Sequence, residues 1–280
     1  MNLVLQGVGD CKPRLERIAA LTASANLTWL SDTALRCEGI TFSTALCQTI
    51  EVAAQAAQLD TTYSIGTHKM GDYKLVAMDM DSTLITIECI DEIADMQGLK
   101  QQVSEITEAA MRGELDFAES LKRRVALLEG LDASALERVY NERLQLSPGA
   151  ETMLKAVQAA GLKTLLVSGG FTFFTERLKQ RLGLDYTNAN ELEIIDGKLT
   201  GKVLGGIVDA EEKKRTLERV CAKLGISPSQ AIVMGDGAND LKMMSISGMS
   251  VAFRAKPVVR EQANVALNFV GLDGILPLLT

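Results

Sequence analysis

Short apolar runs, each ending in a polar or glycine-rich turn, recur along the chain from residue 74 onward. Four of them are KLVAMD, LKTLLVSGG, QAIVMGDGAND and MSVAF. Continuous apolar runs of this length are typical of parallel strands covered on both faces. Stretches with helical spacing, such as GAETMLKAVQAAG and AEEKKRTLERVCAKLG, separate them. The pattern predicts an α/β fold with a doubly wound, Rossmann-like parallel sheet, built from residues 71–84 and 147–280.

Residues 85–146 interrupt this alternation. Their pattern is helical with charged faces, and it contains no convincing strand. An insertion directly after the first strand lies near the carboxyl ends of the strands, where doubly wound proteins bind ligands. We therefore predict a helical cap over the ligand crevice, and we call residues 85–146 the cap segment.

Residues 1–70 follow a third pattern. NLVLQG predicts a strand, PRLERIAALTASA a helix that begins at Pro13, LTWLSDTALRCEGI a hairpin-like pair, and TALCQTIEVAAQAAQL a second helix. This order is similar to that of small α+β sandwiches of the ferredoxin-like or ACT kind. We predict a small α+β N-terminal domain that binds a regulatory amino acid, mediates homodimerisation or only packs against the main domain. The sequence leaves these alternatives open.

Composition narrows the classes of partner. The 280 residues are 47% hydrophobic, and 29 basic against 36 acidic residues give a formal charge of -7. Without a block of basic residues, neither nucleic acid nor an anionic membrane is an expected partner. No segment sustains membrane-spanning length without charge. The five cysteines are scattered, with no C-x-x-C pair, which predicts reduced thiols in a cytoplasmic protein.

Paired carboxylates follow two of the predicted strands. Asp79 and Asp81 come directly after KLVAM, and Asp236 and Asp240 lie in GDGAND. Because the carboxyl ends of parallel strands meet at one edge of the sheet, these groups are expected to converge. Carboxylate and carbonyl oxygens are the ligands that Mg²⁺ prefers. The sequence therefore predicts a magnesium site there.

Groups that bind anions follow the same edge. Gly169 allows its backbone N–H to approach an anion, Ser168 adds a hydroxyl donor, and either Lys213 or Lys214 supplies a cation. A carboxylate nucleophile, Mg²⁺, anion-binding amides and a cation are the parts of phosphoryl transfer. His68 is the only histidine and falls in a predicted linker, so a Ser-His-Asp hydrolase is not expected.

At these residues the chain resembles a known superfamily. DMDSTL resembles the D-x-D-x-T-L motif of the haloacid dehalogenase superfamily, and LLVSGG, a lysine before a helix, and GDGAND resemble its later motifs. Within it, ECIDEIA, AAMRGELDFAESLKRRVALLEG and SGGFT are similar to the phosphoserine phosphatase family. The resemblance covers roughly residues 75–272 and excludes the N-terminal unit.

The resemblance implies Mg²⁺-dependent hydrolysis of O-phospho-L-serine to L-serine and phosphate, a step of serine biosynthesis. Asp79 would be the nucleophile that forms an aspartyl-phosphate, and Asp81 the general acid and then the general base. Asp79, the Asp81 carbonyl and Asp236 would bind Mg²⁺, with Asp240 in support. Spacing to Asp236, compared with the family, favours Lys213 over Lys214. The implied substrate contacts are Glu88 for the ammonium, Arg124 for the carboxylate, Met111 and Phe117 as pocket walls, and Ser168, Gly169, Lys213 and Asn239 around the phosphoryl group.

Two other functions are compatible with the same motifs. One is hydrolysis of another small phosphomonoester, if Glu88 and Arg124 do not converge on one pocket facing Asp79. The other is a regulatory protein in which phosphorylated Asp79 is a long-lived signal. Asp81 argues against the second, because a proton shuttle beside the nucleophile hastens hydrolysis.

Overall fold

The N-terminal unit is a four-stranded antiparallel sheet with two helices. In the computed structural model, residues 1–24, 26–64, 66–111 and 114–280 are described, Met111 by its backbone alone. The elements of the first 64 residues are β1 (Asn2–Gln6), α1 (Lys12–Ala19), β2 (Asn26–Ser31), β3 (Ala34–Glu38), α2 (Thr44–Ala56) and β4 (Asp60–Ser64). The strand order is β2-β3-β1-β4. The predicted α+β character is confirmed, although the sequence reading missed β4, whose residues DTTYS carry no apolar alternation.

The main sheet has seven strands in the order β11-β10-β9-β5-β6-β7-β8. Its strands and the helices around it are β5 (Leu75–Met78), α3 (Cys89–Asp95), α4 (Lys100–Met111), α5 (Phe117–Ala126), α6 (Ser134–Arg138), α7 (Ala150–Ala159), β6 (Lys163–Phe171), α8 (Thr172–Leu182), β7 (Tyr186–Ile195), β8 (Lys198–Leu204), α9 (Ala210–Leu224), β9 (Ala231–Gly235), α10 (Leu241–Met244), β10 (Met249–Phe253), α11 (Pro257–Arg260) and β11 (Val265–Leu267). All neighbours are parallel except β7 and β8, an antiparallel hairpin at one edge. The predicted α/β fold with a mostly parallel sheet is confirmed.

Apolar side chains cover both faces of the sheet. In β5, Val76 and Met78 join one buried cluster, while Leu75 and Ala77 join another on the opposite face. Successive residues of a strand point to opposite faces, so a strand covered twice must be apolar at every position. This explains the unbroken apolar run that precedes the first pair of aspartates.

The cap segment leaves and re-enters the main domain at one place. Ile85 and Leu146 form an antiparallel bridge, and the N–H of Ser147 donates to the carbonyl of Leu84 at 2.9 Å. Helices α3 to α6 lie between these two positions. Nowhere in the described parts of the chain is there a helix both long and apolar enough to cross a bilayer.

One carboxylate fastens the N-terminal unit to the main domain. Asp60, at the start of β4, is 2% exposed. Its oxygens accept hydrogen bonds from the consecutive backbone N–H groups of Asn268, Phe269 and Val270, at 2.8, 2.9 and 2.9 Å. The segment after β11 is thereby held against the small sheet.

Candidate active site

The first pair of aspartates lies in a wide turn at the carboxyl end of β5. Asp79 is 5% exposed, and its Oδ1 accepts a hydrogen bond from the backbone N–H of Met80 at 2.7 Å. The turn continues over Met80–Leu84, and Ser82 adopts a φ of 55° within it. The turn places Asp79 and Asp81 at the same strand end with different surroundings.

Three carboxylates converge at this end of the sheet. The nearest oxygens of Asp79, Asp236 and Asp240 all lie within 4.8 Å of one another. Asp236 follows β9, and the Thr83 hydroxyl donates to its Oδ1 at 3.3 Å. A Cβ at Gly235 would overlap the carboxylate of Asp240, so a residue without a side chain is required there.

Lys213 is the buried cation of this cluster. It extends from α9, is completely shielded from solvent, and places Nζ 2.8 Å from Oδ2 of Asp79 and 2.8 Å from Oδ1 of Asp240. The side chain of Lys214 is 33% exposed and lies 4.0 Å from Glu218. The structure therefore places Lys213, rather than its neighbour, beside the aspartates.

The charges in the cluster do not balance. Three carboxylates face one lysine, which leaves two negative charges when all are ionised. Burial and the neighbouring Asp240 raise the pKa of Asp79 well above its usual range, and they raise the pKa of Asp236 to about 6. Burial alone would lower the pKa of Lys213, but Asp240 and Asp79 hold it above its usual value. A hard divalent cation with oxygen ligands fits both the charge and the donor set.

Asp81 is turned away from this cluster. Its Oδ1 accepts from the backbone N–H of Cys89 at 3.1 Å, and its Oδ2 lies beside Gly170, where a Cβ would be only 2.6 Å away. Burial, followed by the charge of Glu88, raises the pKa of Asp81 to about 7. A carboxyl group with this pKa both gives up and accepts a proton near neutral pH.

The end of β6 supplies groups for an anion. Ser168 is buried, and its Oγ accepts from the backbone N–H of Gly170 at 2.8 Å. Asn190 donates to the carbonyl of Gly169 at 2.7 Å, which fixes that peptide. A Cβ on Gly169 would lie 2.8 Å from the ring of Phe117, so the cap and the main domain meet closely here.

A cavity of about 580 Å³ joins these groups to the cap segment. Of the predicted site residues, its walls include Asp79, Asp81, Glu88, Phe117, Arg124, Ser168, Gly169, Asp236 and Asn239. Lys213 lies buried against its floor through its contact with Asp79, and Asp240 is buried beside Lys213. The side chain of Met111 lies outside the described residues, so its predicted place in the wall stays a prediction.

Glu88 and Arg124, which carry opposite charges, lie on the cap side of the cavity together with Asp91. Glu88 accepts from the hydroxyl of Ser82 at 2.7 Å, and burial of its carboxyl group raises its pKa. Burial lowers the pKa of Arg124, whereas the negative charges of Asp91 and Glu88 act to raise it. Glu88 and Arg124 thus face one cavity that also contains Asp79.

Sequence reasoning missed four residues of this site. Thr83 and Asp91 were within the quoted motifs DMDSTL and ECIDEIA but received no role. Asn190 has no motif around it, and its contact with Gly169 depends on the pairing of β6 with β7. Lys256 also lines the cavity, and its backbone N–H donates to the carbonyl of Asp236 at 3.1 Å. No local pattern distinguishes either of these last two residues.

The sequence matches the family of haloacid dehalogenase-like hydrolases over residues 73–248. The chain belongs to this family. The predicted superfamily and the predicted hydrolase class are therefore confirmed. The matched range includes both pairs of aspartates, the cap segment and Lys213.

Relatives and solved structures agree with this assignment. A phosphoserine phosphatase of Polaromonas sp. is 58% identical over 216 residues, which is 75% of this chain and 92% of that protein. A haloacid dehalogenase family hydrolase from Salmonella enterica serovar Typhi superposes with a TM-score of 0.88 at 33% identity, covering 99% of this chain and 98% of the other. A probable phosphoserine phosphatase from Vibrio cholerae, in unliganded form, gives 0.84 at 35% identity over 99% and 86%. The last two also share the fold of the N-terminal unit, since they cover nearly the whole chain.

Proposed function

We propose that this protein hydrolyses O-phospho-L-serine to L-serine and phosphate. The observation that carries the proposal is a single cavity with Asp79 in its floor and Glu88 and Arg124 on its cap side. A phosphorylated amino acid presents three charged groups, and the cavity opposes an acidic group to its ammonium and a basic group to its carboxylate. Relatives named phosphoserine phosphatase support the same substrate.

We further propose that Mg²⁺ is the metal. Asp79, Asp236 and the backbone carbonyl of Asp81 would hold it, while Asp240 supports them through its bond to Lys213. When bound, the cation neutralises charge on the phosphoryl group and keeps Asp79 ionised.

In the first half of the reaction, a carboxylate oxygen of Asp79 forms a bond to phosphorus while the bond from phosphorus to the serine oxygen breaks. Asp81, in its acid form, donates its proton to that leaving oxygen. The N–H of Gly169, the hydroxyl of Ser168 and the ammonium of Lys213 hold the phosphoryl oxygens. Asn239, which also lines the cavity, contributes a further polar group. The product is L-serine and an aspartyl-phosphate.

In the second half, Asp81 is a carboxylate and accepts a proton from water. The water oxygen forms a bond to phosphorus as the bond between phosphorus and Asp79 breaks. Phosphate leaves, Asp79 is again a carboxylate, and Asp81 is again an acid. A pKa of about 7 suits both roles of Asp81, because neither protonation state is then strongly disfavoured at neutral pH.

The cap segment selects the substrate in this proposal. Glu88 pairs with the ammonium, Arg124 binds the carboxylate through two parallel hydrogen bonds, and Phe117 and Met111 enclose the carbon chain. Closure of the cap over the ester excludes other water during the first transfer. In this proposal, substrate specificity therefore depends on groups that do not contact the reacting phosphorus.

The chain is proposed to divide into three units. They are the N-terminal domain, residues 1–70; the phosphatase core, residues 71–84 and 147–280; and the cap segment, residues 85–146. We propose that the enzyme acts in the cytoplasm in serine biosynthesis. For the N-terminal domain, ligand binding, homodimerisation and packing alone stay as alternative predictions.

Phosphate release from a panel of esters tests the proposal. O-phospho-L-serine, O-phospho-L-threonine, sugar phosphates and p-nitrophenyl phosphate are compared with Mg²⁺ and then with excess EDTA. We expect Mg²⁺-dependent turnover with a clear preference for phosphoserine. A flat profile would contradict the substrate but not the chemistry, and a stable phosphoenzyme without turnover would favour a signalling protein.

A further inference from the structure

Two polar atoms of the cap segment are buried without a hydrogen-bond partner among the described residues. They are Oδ1 of Asp91 and Nε of Arg124. Both residues line the same cavity. Because an unpaired buried polar group opposes folding, such a group in a native protein calls for an explanation. Two of them, of opposite charge and lining one cavity, indicate a contact that the protein completes in another state.

For each of these two groups, the other is the oppositely charged neighbour with the strongest effect on its pKa. Among the carboxylates that oppose the effect of burial on Arg124, Asp91 acts more strongly than Glu88 or Asp81. Among the cations that oppose the effect of burial on Asp91, Arg124 acts more strongly than Lys100. Glu88 already accepts a hydrogen bond from Ser82.

The helices explain this arrangement. Glu88 is the residue before α3, and Asp91 lies three positions later in its first turn, where its N–H donates to the carbonyl of Glu88 at 3.1 Å. Positions three apart lie on the same helix face, so Asp91 lies about one helical turn after Glu88, on the same side of α3. Arg124 projects from α5, and α3 and α5 both pack against α4.

A guanidinium group has donors on two sides. Its two terminal nitrogens can bind a carboxylate in parallel, while Nε–H remains for a second acceptor. If Oδ1 of Asp91 accepts from Nε, the terminal nitrogens of Arg124 are left for the substrate. Both unpaired atoms are then satisfied, and the rotation of the guanidinium group is fixed.

We propose that Asp91 is a positioning residue that orients Arg124 toward the carboxylate of the substrate. The inference rests on the proposed function, because it adds a specificity-determining residue to the same site. Asp91 does not contact the reacting phosphorus or the ammonium of the substrate. It acts on the substrate only through Arg124.

Four phosphate esters separate these contacts. Phosphoserine has the ammonium and the carboxylate, phosphoethanolamine lacks the carboxylate, 3-phosphooxypropanoate lacks the ammonium, and p-nitrophenyl phosphate lacks both. For Asp91→Ala we expect kcat/KM to fall about tenfold on the two carboxylate substrates, mainly through KM, the size of one well-made charged hydrogen bond. Turnover of the other two esters is expected within a factor of about two of the unsubstituted protein.

A double-mutant cycle with Arg124→Ala completes the test. In that background, Asp91→Ala is expected to have no further effect on phosphoserine, because the group through which it acts is gone. Glu92→Gln is the matched control on the same helix, since its carboxylate pairs with Arg143 at 3.4 Å. It is expected to leave all four rates unchanged.

Two other results would contradict the role proposed for Asp91. An equal loss on phosphoethanolamine would mean that Asp91 binds the ammonium directly. An undiminished loss in the Arg124→Ala background would mean that it acts independently of Arg124. Turnover of p-nitrophenyl phosphate reports how much of the variant is folded. Asp91→Asn is a second variant, which keeps the side-chain volume but removes the charge.

Failure of the proposed function gives a different result. An unsubstituted protein that hydrolyses p-nitrophenyl phosphate without preferring phosphoserine contradicts both proposals. A protein that prefers phosphoserine, while Asp91→Ala behaves like the unsubstituted form on all four esters, contradicts the role of Asp91 alone.

Discussion

The ammonium of Lys213 lies 2.8 Å from the carboxylate of Asp79, and the lysine side chain is completely buried. The same nitrogen lies 2.8 Å from Asp240. The lysine proposed to meet the phosphoryl group is thus already fixed beside the proposed nucleophile. Preorganised charge of this kind requires no rearrangement during the reaction.

Replacing Lys213 tests this relationship. Lys213→Met keeps most of the side-chain volume but leaves three carboxylates without their cation. We expect kcat to fall by roughly 10²-fold or more, the effect of losing one preorganised donor to the transition state. Breaking a buried pair should also cost about 3–5 kcal/mol of unfolding free energy. Phosphate release and urea denaturation measure the two effects.

Lys214→Met is the matched control, because Lys214 is the next residue of α9 and lies 4.0 Å from Glu218 at the surface. It is expected to change neither quantity measurably. Equal losses in the two variants would assign the effect to the helix rather than to the buried cation.

Asp79→Asn is expected to abolish turnover with the fold intact. An amide is a poor nucleophile, and the phosphoenzyme cannot form on it. Because the substitution also removes one of three converging carboxylates, it should not lower the thermal midpoint of the metal-free protein. Turnover assays and circular dichroism check both points, and a near-normal rate in this variant would rule out Asp79 as the nucleophile.

Arg124→Ala is expected to discriminate between substrates. Loss of a buried, charged partner should lower kcat/KM for phosphoserine by roughly 10²-fold and leave p-nitrophenyl phosphate nearly unchanged. Arg123→Ala is the control, since Arg123 pairs with Glu119 at 2.7 Å and neither residue is among those that line the cavity. A similar loss on both esters would remove Arg124 from the role of carboxylate ligand.

The stability of the metal-free protein is expected to decrease with rising pH. Burial and Glu88 raise the pKa of Asp81 from 3.8 to about 7, so the folded protein keeps a proton that the unfolded chain releases. This contribution is fully present below about pH 4 and is lost as the pH rises through about 7, at about 1.4 kcal/mol for each unit of pKa difference. Urea denaturation in EDTA across this range measures the slope.

Asp81→Asn identifies the group responsible, because asparagine has no proton to lose. The decrease between pH 4 and 7 should be visibly smaller in this variant than in the unsubstituted protein. An identical slope in both would assign the pH dependence to other carboxyl groups.

Asp60→Ala is expected to weaken the attachment of the N-terminal unit. The substitution leaves three N–H groups without their acceptor, one buried (Val270) and two partly buried, at a cost of about 1–3 kcal/mol for a fully buried group. Denaturant unfolding and limited proteolysis near residues 64–75 measure the effect. Asp32→Ala, which removes an exposed pair with Lys12, should be close to neutral.

Much of the fold could be predicted from the sequence because strands covered on both faces have an unmistakable pattern. The run before Asp79 is apolar at every position, and it forms β5. The pattern fails where side chains are mixed: β4 is polar, and the β7–β8 hairpin contains Asn188, Asn190 and several charged residues. β4 is stabilised by pairing with β1 at the start of the chain, and β7 by pairing with β6 on the far side of α8, which local patterns do not reveal.

The residues of the candidate site also differ in whether the local sequence could predict them. Asp79 and Asp236 could be predicted because each directly follows a central strand, and parallel strands bring their ends together. The choice of Lys213 over Lys214 needed the resemblance to a family, since adjacent helix positions look alike in sequence. Asn190 and Lys256 reach the site through tertiary contacts alone, so nothing near them in the chain signals their place.

The bridge between Ile85 and Leu146 has a consequence for how the cap segment can be exchanged. Its two ends lie side by side, so the segment is inserted at one position of the chain, although it also pairs with the β7–β8 hairpin through Asp132 and Lys198. A foreign cassette of another length can be grafted there without changing the separation of the flanking residues. If the cap segment selects the substrate as proposed, exchanging it would change which alcohol is accepted as leaving group, while the carboxylates and Lys213 in the core stay in place.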